Sequence, residues 1–122
     1  MKTNARLPLI LAVAAGAVPV ASALASPTTA HTAATHVVKL KNVMIKPSTV
    51  SIHRGDQVTW SFLDGPIMAE HTVTSVAHKG GLRFKSTPAR LSGSYTVKFT
   101  RAGTYYYVCM IHPNMTGKIV VK

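Results

Sequence analysis

Cys109-Met110-Ile111-His112-Pro113-Asn114-Met115 sets a thiol, an imidazole and a thioether at steps of three along the chain. Thiolate and thioether are soft donors, and imidazole suits copper in both of its common oxidation states. Two His and one Cys, with a weak axial Met, form the ligand set of a copper electron-transfer site. The run supplies all of that set but one imidazole, which must come from elsewhere in the chain. Zinc is the nearest rival metal; it accepts Cys and His but rarely a thioether. A catalytic Cys–His pair would need a third polar group to orient the base, and no Asp or Glu lies near residues 109–115. A multicopper oxidase is excluded because the chain contains no His-x-His pair.

The run must be held by strands. Tyr105-Tyr106-Tyr107-Val108 leads directly into it. Side chains alternate across a strand, so Tyr105, Tyr107 and Cys109 face one way and Tyr106 and Val108 the other. If Cys109 points inward, two tyrosine rings lie in the core below it. The loop after Cys109 then folds back to deliver His112 and Met115. Pro113 stiffens the loop, and Gly117 is expected to give the backbone freedom to re-enter the sheet.

Upstream, strand-like runs appear at Val37–Lys41, Val43–Ile45, Thr49–His53, Gln57–Phe62 and Thr72–Val76, and others at Ser94–Thr100 and Gly117–Lys122. Arg54-Gly55-Asp56 and Arg101-Ala102-Gly103 are turns, and residues 77–88 are expected to be an irregular connection. No segment after residue 26 shows helical apolar periodicity. Seven or eight short strands separated by turns predict an all-β fold, a two-sheet sandwich or a barrel, in one domain. An immunoglobulin-like sandwich is disfavoured because its disulfide needs a Cys before the Trp, and none precedes Trp60.

The start of the chain has a different character. Lys2 and Arg6 precede an apolar, Ala-rich stretch from Leu7 to Leu24, and Ala23-Leu24-Ala25 offers small residues for a cut before Ser26. This is the layout of a secretory signal peptide over residues 1–25. The exported protein would be periplasmic, secreted or at the cell surface. A membrane anchor is the competing reading of the apolar stretch, but Pro8, Gly16 and Pro19 and the small-residue exit favour cleavage. Residues 26–35 are small and polar, as in a flexible lead-in. Residues 36–122 form the expected domain.

With Lys2 and Arg6 removed, twelve basic residues stand against three acidic ones, Asp56, Asp64 and Glu70, a formal charge of +9. The basic residues are scattered and not interleaved with stacking aromatics, so nucleic acid is not the expected partner. They would steer the protein toward an acidic partner surface. Cys109 is the single Cys, so no internal disulfide can form. In an exported chain a lone Cys is a free thiol, an intermolecular partner or a ligand.

The order of motifs resembles the cupredoxin family, the small blue copper proteins, in its amicyanin- and plastocyanin-like branch. Val50-Ser51-Ile52-His53-Arg54-Gly55-Asp56-Gln57-Val58-Thr59-Trp60 is similar to the strand-turn-strand that precedes the first His ligand. Gly103 to Cys109 is similar to the strand feeding the ligand loop, and Met115 to Val121 to its exit. The resemblance covers nearly all of residues 36–122. It implies a Greek-key β-sandwich holding one copper ion through His71, Cys109, His112 and Met115. It is the family order that picks out His71, in Glu70-His71-Thr72-Val73-Thr74; His31, His36, His53 and His78 are read as structural or surface residues. The implied activity is one-electron transfer between redox partners by a non-enzymatic monomer, with copper storage or delivery as the alternative. Two departures stand out: Ser61-Phe62 replaces a common Thr-Asn pair, and Glu70 replaces the Pro often found before the first His. By alternation from His71, Glu70 faces solvent.

Overall fold

The computed structural model describes residues 14–19, 26–27, 29–65 and 69–122. The charged start, the cleavage site at Ala23–Ala25 and Met68 lie outside the described residues. Among those described, no helix is long and apolar enough to cross a membrane.

Among the described residues nine strands form: β1 Thr35–Lys41, β2 Met44–Lys46, β3 Thr49–Ile52, β4 Gln57–Phe62, β5 His71–Val76, β6 Thr87–Arg90, β7 Gly93–Lys98, β8 Gly103–Val108 and β9 Thr116–Val121. They build two sheets, ordered β2-β1-β4-β7 and β3-β9-β8-β5-β6. β1 runs parallel to β4 and β3 parallel to β9, while the other pairings are antiparallel. The strand beyond the expected seven or eight is β6, which begins at the end of the stretch expected to be irregular and runs two residues past it. Pro88 and the lack of alternation hide it. Proline is tolerated only at a sheet edge, and β6 is the edge strand, paired with β5 at His71↔Arg90 and Val73↔Thr87 around a bulge.

Alternation explains the core. Val58, Trp60 and Phe62 of β4 are buried, as are Tyr105 and Tyr107 of β8. Trp60 is fully buried and central: Phe84 and Tyr95 stack on it, and Phe99 and Tyr107 meet it edge to face. Such aromatic contacts each add about 0.5–1.5 kcal/mol beyond the area they bury.

Two positions depart from the sequence reading. Val43 was expected in a strand but occupies, with Asn42, the two-residue turn between β1 and β2, at φ values of 59° and 53°. Asn tolerates that left-handed geometry, whereas a β-branched residue is strained there. Gly117 does not have a positive φ, so backbone freedom is not its role. It lies opposite Tyr107 in the register of β8 and β9, and a Cβ there would overlap the tyrosine ring. Gly117 makes room for the ring beneath the ligand loop.

The strands define two poles. β8 runs toward Cys109, so the Cys109–Met115 loop caps one pole and the Gly103 end of β8 marks the other. β4 spans the sandwich between them, with Asp56 just before it and Asp64 just after it. Six strand residues cover about 20 Å. Within the expected lead-in, Thr35 already opens β1, and the Ala34 N–H and the His31 ring bond to Asp56.

Candidate metal centre

Cys109 directly follows β8 and is 4% exposed. Its N–H donates to the Met115 carbonyl at 2.9 Å, which closes the loop on itself. Asn114 sits in the left-handed region, at φ 63°, and turns the chain back toward β9. Met115 is buried in the same core cluster as Cys109. His71 opens β5 and is fully buried.

Three of the four expected ligands converge in space. His71 Nδ1 lies 3.9 Å and His112 Nδ1 3.6 Å from Cys109 Sγ. The two rings are 5.0 Å apart, tilted by 52°. The three donor atoms all lie within 4.8 Å of one another. Metal bonds of about 2.0 Å to nitrogen and about 2.3 Å to sulfur, meeting at trigonal to tetrahedral angles, would set nitrogen and sulfur about 3.6 Å apart. Both nitrogen–sulfur separations therefore suit a single shared ion. Met115 is brought to the same pole by the loop closure.

The polar shell around the sulfur is built from backbone and side chains. The Thr72 N–H points to Cys109 Sγ at 3.4 Å, and the Met110 N–H donates to Thr72 Oγ1 at 2.8 Å. Burial pushes the Cys109 thiol up, but the N–H groups of Thr72 and Ile111 and the two imidazoles outweigh it, bringing the thiol down to about 6. At neutral pH it is mostly thiolate, the form that binds metal.

Sequence reasoning missed Asp64. Its buried carboxylate pairs with His71 Nε2 and accepts the Asn42 N–H on both oxygens, at 2.9 and 3.1 Å. Burial pushes Asp64 up, but the His71 ring, the Asn42 N–H and the Lys41 charge hold its carboxyl below the usual range. A ligating His commonly gives its second nitrogen to a carboxylate, which fixes tautomer and ring orientation. The signal available was scarcity: the expected domain has only three acids, and Asp64 lies just before His71 in sequence. Glu70 is exposed, as alternation predicts.

His112 is half-buried at the surface, with Met110, Ile111, Pro113 and Asn114 exposed around it. Met110 is 68% exposed, high for so apolar a side chain.

A two-sheet sandwich with one thiolate and two imidazoles gathered under a loop at one pole is the architecture of a small copper protein. The comparisons with known proteins agree. A family model described as "Cupredoxin-like domain" matches residues 12–121. The chain is 33% identical over 86 residues to amicyanin from Paracoccus denitrificans, a match covering 70% of this chain and 64% of that protein. It is 34% identical to amicyanin-alpha from Methylorubrum extorquens, covering 70% of each. Among solved structures, a reduced-state amicyanin mutant superposes with a TM-score of 0.59 at 34% identity, covering 72% of this chain and 82% of that one. A copper-containing nitrite reductase from Thermus scotoductus matches with a TM-score of 0.63 at 25% identity, but over only 22% of its length. The chain belongs to the cupredoxin-like family, and its cofactor is one copper ion.

Proposed function

We propose that this protein is an exported one-electron carrier whose copper is held by His71, Cys109, His112 and Met115. The observation that carries the reading is the convergence of His71 Nδ1, His112 Nδ1 and Cys109 Sγ within 4.8 Å under a closed loop. Copper would supply a metal that gains and loses one electron within this mixed soft-and-borderline donor set.

The chain's own residues do the rest. Asp64 holds the His71 ring by Nε2, leaving Nδ1 facing the sulfur. The Thr72 and Met110 amides pin the loop to β5. Ligands fixed by such a shell have little freedom to rearrange, and low reorganisation is what fast electron exchange requires. The exposed ring of Met110, Ile111, Pro113 and Asn114 forms an apolar docking patch, with the half-buried His112 imidazole as a short path inward. The scattered positive charge speeds encounter with an acidic partner, an effect that salt screens. Residues 1–25 are its export signal, 26–35 a lead-in and 36–122 the copper domain, which works as a monomer.

The test is to add Cu(II) to the protein and record its visible and electron paramagnetic spectra, with Cys109→Ser alongside. An intense thiolate-to-copper band with narrow hyperfine splitting, lost in the variant, supports the reading. A signal unchanged by the substitution removes it. Copper retained through repeated reduction and reoxidation marks a carrier, whereas ready loss of Cu(I) to an acceptor protein marks a copper donor.

A further inference from the structure

Three of the chain's six imidazoles gather at the pole opposite the copper loop. His31 Nε2 lies 2.6 Å from Asp56 Oδ1, and His36 Nε2 lies 3.1 Å from Oδ2. The His53 ring packs against that of His31, with centroids 4.4 Å apart and a tilt of 37°. Asp56 is 1% exposed, while His31 and His53 are open to solvent.

The β3–β4 turn does not need these rings. The Ala34 N–H already donates to Asp56 Oδ1 at 2.9 Å, and the His53 N–H donates to Oδ2 at 3.0 Å. Each carboxylate oxygen thus has a backbone partner, and the imidazoles are additional. Lys and Arg are the commoner basic residues in this chain and would serve as well for ion pairing. Imidazole differs in that it can shed its proton and offer a lone pair.

We propose that His31, His53 and Asp56 form a second metal site, which takes one borderline divalent ion of the zinc class. One donor atom from each of the three residues lies within 4.8 Å of the others. Ligands of one ion with bonds of about 2.0–2.2 Å stand about 3–4 Å apart; the His31 nitrogen opens from its 2.6 Å contact with Oδ1 and the His53 ring turns to join it, small rotations for two exposed side chains. The carboxylate is the fixed point, buried and held by backbone. His36 donates to its second oxygen, the outer-shell contact that keeps a ligating carboxylate oriented. The set contains no sulfur, so it favours zinc or Cu(II) over Cu(I). Three protein ligands leave a coordination position for solvent. His31 precedes β1 and His53 belongs to the turn after β3, so the ion would staple the segment before β1 to the sandwich.

The test is to dialyse copper-loaded protein against zinc sulfate and count both metals per chain. The expected result is one zinc beside one copper with an unchanged visible spectrum. Zinc affinity should fall at least about tenfold in His31→Ala and in His53→Gln, and less in His36→Ala. A Cys109→Ser/His112→Ala variant should still take one zinc, so the result does not depend on the copper assignment. Absence of zinc uptake by the unaltered chain, or uptake that survives both His31→Ala and His53→Gln, overturns the proposal.

Discussion

The two ends of β4 carry the same pair of residue types in opposite arrangements. After the strand, buried Asp64 grips a fully buried His71 ring, whose other nitrogen faces a thiolate. Before it, buried Asp56 is met by His31 and His36 rings that are 39% and 34% exposed. Around Asp64 the imidazole cannot turn, so the carboxylate sets its direction. Around Asp56 the rings can turn, so the carboxylate anchors the fold and leaves them free to bind something else. Burial of the imidazole, more than the His–Asp pairing itself, separates a permanent ligand shell from an exchangeable one.

Substituting the two acids is the strongest way to break that contrast. Asp64→Ala should weaken copper binding about 10–100-fold in a chelator competition, while Asp56→Ala should leave copper affinity unchanged and lower the thermal midpoint. Because the Ala34 and His53 N–H groups and the His31 and His36 rings hold Asp56 well below the usual range against the cost of burial, its stabilisation is present above the unfolded carboxylate value. It is lost as pH falls below about 4, so acid unfolding monitored by fluorescence should be shallower in Asp56→Asn. Next in size is Gly117→Ala, whose Cβ meets the Tyr107 ring. Overpacking of this kind costs about 1–3 kcal/mol in urea unfolding of the metal-free protein.

A subtler effect belongs to the copper pole alone. Cys109 is lowered from an ordinary thiol's 9.0 to about 6, so the folded metal-free protein sheds this proton before the unfolded chain does. Stability should therefore rise with pH between about 6 and 9 and be lost as pH falls through 6. Cys109→Ser should flatten that rise, and thiolate absorbance near 240 nm should titrate with a midpoint of about 6. The smallest change is Val43→Gly. Relief of the left-handed valine should stabilise the protein by about 1 kcal/mol in the same urea assay, with copper affinity unaltered because the Asn42 N–H stays on Asp64.

Local patterns were the legible part of this protein. Cys109, His112 and Met115 stood out because a single loop delivers all three, and alternation alone sets Tyr105, Tyr107 and Cys109 on one face. His71 could be singled out only through the order of motifs, since the contact between β5 and the loop is long-range. Beyond the scarcity of acids, Asp64 gave no sign of its role for the same reason: it acts through the Asn42 N–H and the His71 ring, in two other segments. The second His cluster was missed because its members lie on separate segments, His31 in the lead-in, His36 in β1 and His53 in the turn after β3. Only the parallel pairing of β1 with β4 brings His36 and Ala34 to Asp56. The role of Gly117 was misjudged because its constraint lies across the sheet, in a ring ten residues earlier.

The hydrogen bond from the Cys109 amide to the Met115 carbonyl makes the segment between them a detachable cassette. Its two ends are welded to neighbouring strands, so the residues on either side of His112, at 110, 111, 113 and 114, can be exchanged and the loop lengthened there without disturbing either sheet. Loop length then becomes a dial: it sets how far the solvent-facing imidazole protrudes and how wide a platform it offers a visiting protein. The same sandwich could thus be fitted to different clients by rewriting four positions around a constant imidazole.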